Sequence, residues 1–265
     1  AKDADGDGTL DAWNLVTTRE GIRSLIQDTN PGRVLGILPV YSTLQANRSG
    51  NAKAKPFEVP LLESSPTMTE LMMAALHVLS KDPDGFVLMA EGGAIDWASH
   101  DNQSRRLIEE QIDFDRAVEY TIEWIEEHSN WDETLLAVTS DHECGYLTGI
   151  GSDPNLLPLT NRGIGLEPGM EWHSDGHTNQ LVPFFMKGSG ANAIVNSTVG
   201  VDGRFGPYVD NTSMAQCLRT MWKTHLPPKL GFLVKPYLQQ ARKDGITVMF
   251  ETNIPSQSTV KYGEA

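Results

Sequence analysis

Acids and histidines stand together at three places in this chain where an apolar run ends. Gly85-Phe-Val-Leu-Met-Ala90 reads as a buried strand of a parallel sheet, and it runs straight into Glu91-Gly-Gly-Ala-Ile-Asp96-Trp-Ala-Ser-His100. Two glycines turn the chain there, and a helical pattern follows in which Asp96 and His100, four apart, share one face. A second apolar run, Thr134 to Ser140, leads at once to Asp141-His142. A third cluster, His173-Ser-Asp-Gly-His177, precedes the strand-like Leu181–Met186. Imidazole nitrogen and carboxylate oxygen are the donors Zn²⁺ takes, and a hard carboxylate suits Mg²⁺. Three such clusters at strand ends indicate a polynuclear metal site.

The elements that must hold these residues are legible as patterns. Trp13–Thr18 is strand-like, Thr18–Ile26 is a short amphipathic helix, and Arg33–Leu38 is a second apolar strand, which together suggest a βαβ unit. Residues 42–60 are polar and contain Pro56 and Pro60, so they read as a loop. Thr67-Met-Thr-Glu70 is a capping box, and the helix it opens carries Met68, Leu71, Met72, Ala75 and Leu79 on one face. A long helix is expected from Leu107 to about Glu127, with Leu107, Ile108, Gln111, Phe114, Val118, Ile122 and Ile125 inward and its acids mostly solvated. Residues 149–172 form a long loop rich in Gly, Pro and Asn, and residues 210–222 a last helix. Strands alternating with helices predict an α/β sandwich with a mostly parallel central sheet, its acids gathered near the carboxyl ends of strands. After Pro227-Pro228 the pattern changes to short alternating strands at 233–239, 245–252 and 258–263. The expected domains are therefore 1–228 and 229–265.

Taken together, the three motifs resemble the C-terminal part of the alkaline phosphatase catalytic domain, in order and spacing from about residue 13 to about residue 225. The resemblance implies hydrolysis of phosphoric monoesters at a site with two zinc ions and one magnesium. It places Asp96, His100 and His177 on the first zinc, Asp141 and His142 on the second, and Glu91 on the magnesium. The family's nucleophile is a Ser in an Asp-Ser-Ala context, and no Asp-Ser-Ala occurs in these residues. The resemblance thus implies a catalytic domain incomplete at its N-terminus, without nucleophile, bridging Asp or phosphate-binding Arg, and with little or no activity by itself. The strands after Pro228 resemble the opening of the fibronectin-III-like domain found in purple acid phosphatases, a partial β-sandwich. Two other functions fit the same residues: a phosphodiesterase of the same superfamily, and a non-catalytic secreted module working through calcium and its β tail.

Composition narrows the partners. Asp and Glu number 35 against 21 Lys and Arg, a net charge of −14, which argues against a nucleic-acid-binding surface. No apolar run is long enough to span a membrane. Asp3, Asp5, Asp7 and Asp11, with Gly8, follow the spacing of a calcium loop over residues 3–14, but Asn14 stands where an EF-hand has Glu. A structural Ca²⁺ loop and a solvated acidic turn both fit. Of the two cysteines, Cys144 lies two residues beyond His142 and reads as a small packing residue rather than a ligand. His173 reads as a loop or substrate-side residue. A periplasmic or extracellular location and a homodimer accord with the resemblance.

Overall fold

The structure is a computed structural model that describes residues 12–29, 31–38, 40, 46–153 and 155–222, and the backbone of 223, 232–242 and 245–252. The expected calcium ligands Asp3, Asp5, Asp7 and Asp11 lie outside the described residues. The chain divides into two compact units, Ala1–Ala191 and Asn192–Ala265, well before the compositional break at Pro227-Pro228.

In the first unit, β1 (Trp13–Val16) and β2 (Arg33–Gly36) pair in parallel across α1 (Arg19–Leu25), the βαβ arrangement the alternating pattern predicts. Thr18 caps α1 by accepting from Gly21 N at 3.0 Å. Ile22 and Leu25 on its inner face pack with Val16 and Ala74. Helix α2 (Met68–Leu79) opens on the expected capping box: Glu70 N donates to the Thr67 hydroxyl at 3.1 Å, and Thr67 N donates to the Glu70 carboxylate at 2.8 Å. Short α3 (Ala94–His100) is followed by the long α4 (Ser104–His128), and Met72 and Leu76 of α2 pack against Ala117 of α4. Then β3 (Leu135–Thr139) pairs antiparallel with β6 (Phe184–Gly188), and β4 (Glu143–Cys144) with β5 (His177–Thr178).

Three expectations change here. Gly85–Ala90 is not a buried strand: no strand is assigned there, and Val87 and Met89 are 71% and 89% exposed. An apolar run becomes a strand only with a ladder partner, and among the described residues none pairs with it. A single, mostly parallel sheet is likewise not seen; the described strands form two-stranded pairs, with β1–β2 the parallel one. Finally, the buried face of α4 follows the expected stripe only in part, with Ile125 buried and Leu107 packed against Ala94 and Ala98. It holds Arg106, Glu109, Glu110, Ala117, Thr121 and Ile125, while Gln111 is exposed. Charged residues can lie inward because Arg48, from the loop ahead of α2, meets Glu109 at 2.8 Å.

Residues 149–172 run as the expected loop, tied by isolated bridges Thr148–Glu171 and Thr160–Gly169. Beyond come α5 (Ala191–Val195), the antiparallel pair β7 (Gly200–Asp202) and β8 (Gly206–Tyr208), α6 (Ser213–Lys223), and the antiparallel pair β9 (Phe232–Arg242) and β10 (Gly245–Thr252). The first two tail strands thus exist, and the third, 258–263, lies outside the described residues. One two-stranded ribbon lends no support to the fibronectin-III-like likeness, which needs two packed sheets.

Candidate functional site

Helix α3 and the β4–β5 ribbon bring the chemistry together. Asp96 and His100 are one turn apart on α3, and the Asp96 Oδ2 atom lies 3.4 Å from His100 Nε2. The β4–β5 register sets Cys144 directly opposite His177, so both side chains leave the ribbon on one face. His177 Nε2 lies 3.0 Å from His100 Nε2 and 3.2 Å from Asp96 Oδ1. One donor atom each from Asp96, His100, Cys144 and His177 falls within 4.8 Å of all the others. Gly145 holds the two strands of this site in place. Its N–H donates to the Gly176 carbonyl at 3.0 Å, and its own carbonyl accepts from His173 N and Ser174 N at 3.2 and 3.1 Å. Its φ is +82°, and a Cβ there would sit 2.4 Å from the Trp172 ring, so both backbone and space call for glycine.

Hydrogen bonding fixes the imidazole of His100. Its Nδ1 lies 2.5 Å from the Asp175 carbonyl oxygen, which can only accept, so Nδ1 carries a proton and Nε2 is the nitrogen that faces the cluster. Asp96 Oδ1 is buried without a hydrogen bond; His177 Nε2 stands near it, but not in line to donate. A buried carboxylate oxygen left so is costly. A divalent cation between the carboxylate and the imidazole nitrogens satisfies all of them, so these residues fit a metal. Burial pushes the Cys144 thiol up to about 12, helped by its hydrogen bond to Asp96 and by the charges of Asp96, Glu143 and Asp175. With no cation beside it, Cys144 is a neutral thiol and not a nucleophile.

The remaining expected residues stand at different distances from this cluster. His142 stacks on His177 with ring centroids 3.5 Å apart, and its buried Nδ1 has no hydrogen-bond partner. Asp141 lies 3.3 Å from His142 Nε2, with its side chain 84% exposed. Glu91 is outside the group; it lines a separate cleft of about 140 Å³ with Met68, Asp113 and Phe114. His173 is also outside, bonded to the Thr148 hydroxyl at 2.7 Å and resting on Tyr146, which holds the long loop. Cys144, expected as a small packing residue, is half-buried, and its Sγ lies within 4.8 Å of the donor atoms of Asp96, His100 and His177. Glu143 was not singled out; it accepts from the Thr178 hydroxyl and from Leu147 N, and so locks β4 to β5. Both cysteines are free thiols.

Comparison with known proteins gives a consistent picture. A sequence profile of the family described as Alkaline phosphatase matches residues 9–163, a stretch that includes Glu91, Asp96, His100, Asp141 and His142. The membrane-bound alkaline phosphatase of Bombyx mori is 43% identical over 79 residues, 30% of this chain and 14% of that protein. The repressible alkaline phosphatase of Saccharomyces cerevisiae is 31% identical over 153 residues, 55% of this chain and 25% of that protein. These matches span no more than a quarter of the relatives' own lengths. The crystal structure of a cold-active alkaline phosphatase from the psychrophile Shewanella sp. superposes with a TM-score of 0.53 at 21% identity, covering 79% of this chain and 59% of that one. At that identity the likeness is one of α/β fold.

Proposed function

This chain belongs to the alkaline phosphatase family, and on that premise we propose that Asp96, His100 and His177 hold a zinc ion that serves the hydrolysis of phosphoric monoesters. One observation carries this reading: donor atoms of these three side chains converge within 4.8 Å, around a buried Asp96 oxygen that has no hydrogen bond. Asp141 and His142 are proposed as ligands of a second zinc, next to the first through the His142–His177 stack. Glu91 is proposed as a magnesium ligand. Bound there, divalent cations would stabilise the charge that develops on the attacking and leaving oxygens of a phosphoryl transfer.

The chain's own residues orient and tune. The Asp175 carbonyl accepts the His100 Nδ1 proton, which directs Nε2 into the site. The Asp96 carboxylate lies between two imidazoles, one oxygen near each. The Glu143–Thr178 hydrogen bond keeps His177 in register with Cys144. No Asp-Ser-Ala occurs in these 265 residues, so we expect cation binding from them but little or no turnover. An exported location, periplasmic or extracellular, goes with the same reading.

The test is the binding of inorganic phosphate, the reaction product, to the chain with and without zinc, followed by titration calorimetry. Phosphate should bind the zinc-loaded chain, and binding should vanish on chelation and in His177→Ala. Phosphate binding that ignores both zinc and His177 would refute the proposal.

A further inference from the structure

We propose that Cys144 is a fourth protein ligand of the ion held by Asp96, His100 and His177, so that this site closes around its metal with an Asp-His-His-Cys donor set. The inference rests on the metal reading above, and goes beyond it by adding a sulfur.

Two separate features put the sulfur there. The β4–β5 pairing sets Cys144 opposite His177, and directly opposed residues of an antiparallel pair share a face with Cβ atoms about 4.5–5.5 Å apart. From the other side, the Cys144 thiol donates to the Asp96 carbonyl oxygen, at 3.8 Å, which brings it to the helix that carries the carboxylate and one imidazole. The outcome is that Sγ joins the three other donor atoms within the same 4.8 Å group. The hydrogen bond is long and weakly held, as befits a thiol that can turn to another partner.

The donor set has a chemical consequence. Zinc sites with three protein ligands leave a fourth position open, whereas four ligands including thiolate complete the tetrahedron. On binding, the S–H bond breaks, the proton passes to solvent, and a sulfur–metal bond forms. Thiolate also biases the site towards Zn²⁺ and Co²⁺ and away from Mg²⁺ and Ca²⁺, which prefer oxygen. Cys144 thereby makes this ion a firmly held one. Contact with a phosphate oxygen at this ion then requires displacing sulfur or adding a fifth ligand.

Cobalt(II) substitution separates this proposal from the one beneath it. Cobalt chloride is added to the metal-stripped chain and the absorption spectrum recorded. Visible d–d bands report that the ion is bound, and a near-ultraviolet thiolate-to-cobalt charge-transfer band reports sulfur on the ion. Both should appear in the wild type and in Cys217→Ser. In Cys144→Ser the charge-transfer band should be lost while the visible bands remain. A wild-type spectrum with visible bands and no charge-transfer band overturns the sulfur ligand and leaves the metal site standing. Absence of both bands overturns both proposals. A charge-transfer band that survives Cys144→Ser and disappears in Cys217→Ser also overturns it. With only two cysteines in these residues, the wild-type and Cys217→Ser spectra together decide whether Cys144 is the sulfur, so a folding defect in the Cys144 variant cannot shield the proposal.

Discussion

Glu109→Ala should be among the most damaging single changes away from the metal cluster. Glu109 accepts from Arg48 Nη1 and Nη2 at 2.8 and 3.0 Å, from Arg106 Nη1 at 3.2 Å, and from Phe57 N at 2.6 Å. The Arg48 and Arg106 side chains are 1% and 3% exposed, so removing the carboxylate takes from two buried guanidinium groups the charged partner they share. Breaking a buried pair by deleting one partner costs about 3–5 kcal/mol, and a carboxylate shared by two cations belongs in the upper part of that range. For a chain of this size, about 4 kcal/mol lowers Tm by roughly 8–16 °C. Glu109→Gln keeps an acceptor but loses the charge, and should cost about half as much. There is also a pH signature. Burial alone would raise the Glu109 carboxyl, but hydrogen bonds from Arg48, Phe57 N and Arg106 and the charge of Arg48 outweigh it and hold it below its ordinary 4.5. Its folded pKa is thus depressed, so its stabilisation is complete above the unfolded value and is lost as pH falls through the folded one. Urea unfolding followed by circular dichroism, at neutral pH and at steps below 4.5, reads both effects. A Glu109→Ala loss under about 1 kcal/mol, or a Glu109→Gln variant with an unchanged acid limb, would show the network to be solvated and the reasoning wrong.

Two further outcomes follow from local geometry. Thr67→Ala removes the hydroxyl that accepts from Glu70 N and should cost about 1 kcal/mol in urea unfolding, whereas no change would mean that the Glu70 carboxylate alone suffices as the cap. Gly145→Ala forces a Cβ against the Trp172 ring at a positive φ; it should destabilise by about 1–3 kcal/mol and weaken zinc retention together, while normal zinc retention would show that the strand brace does not position the site.

Local patterns in the chain were enough for α2 and for the helical face that carries Asp96 and His100. Thr67 and Glu70, three apart, announce α2, and Asp96 and His100, four apart, announce a shared helical face; both features depend on residues close in sequence. Three details depend on partners far away, and none of these could be read from spacing. Arg106 and Glu109 turn inward on α4 because Arg48 lies 61 positions before Glu109 in the chain and close in space. That Cys144 lies opposite His177 depends on the pairing of two-residue strands, β4 with β5, which spacing along the chain does not show. The apolar run Gly85–Ala90 carries the composition of a strand, but composition cannot supply the ladder neighbour that a strand requires.

The central claim, that Asp96, His100 and His177 form a zinc site in this chain, is tested most directly by counting zinc. The purified chain is loaded, dialysed exhaustively against metal-free buffer and analysed for elemental zinc, beside Asp96→Asn and His177→Ala. The wild type should retain at least about one zinc per chain, held by these three side chains, and each variant should lose most of it. Equal zinc in the wild type and both variants would contradict the assignment.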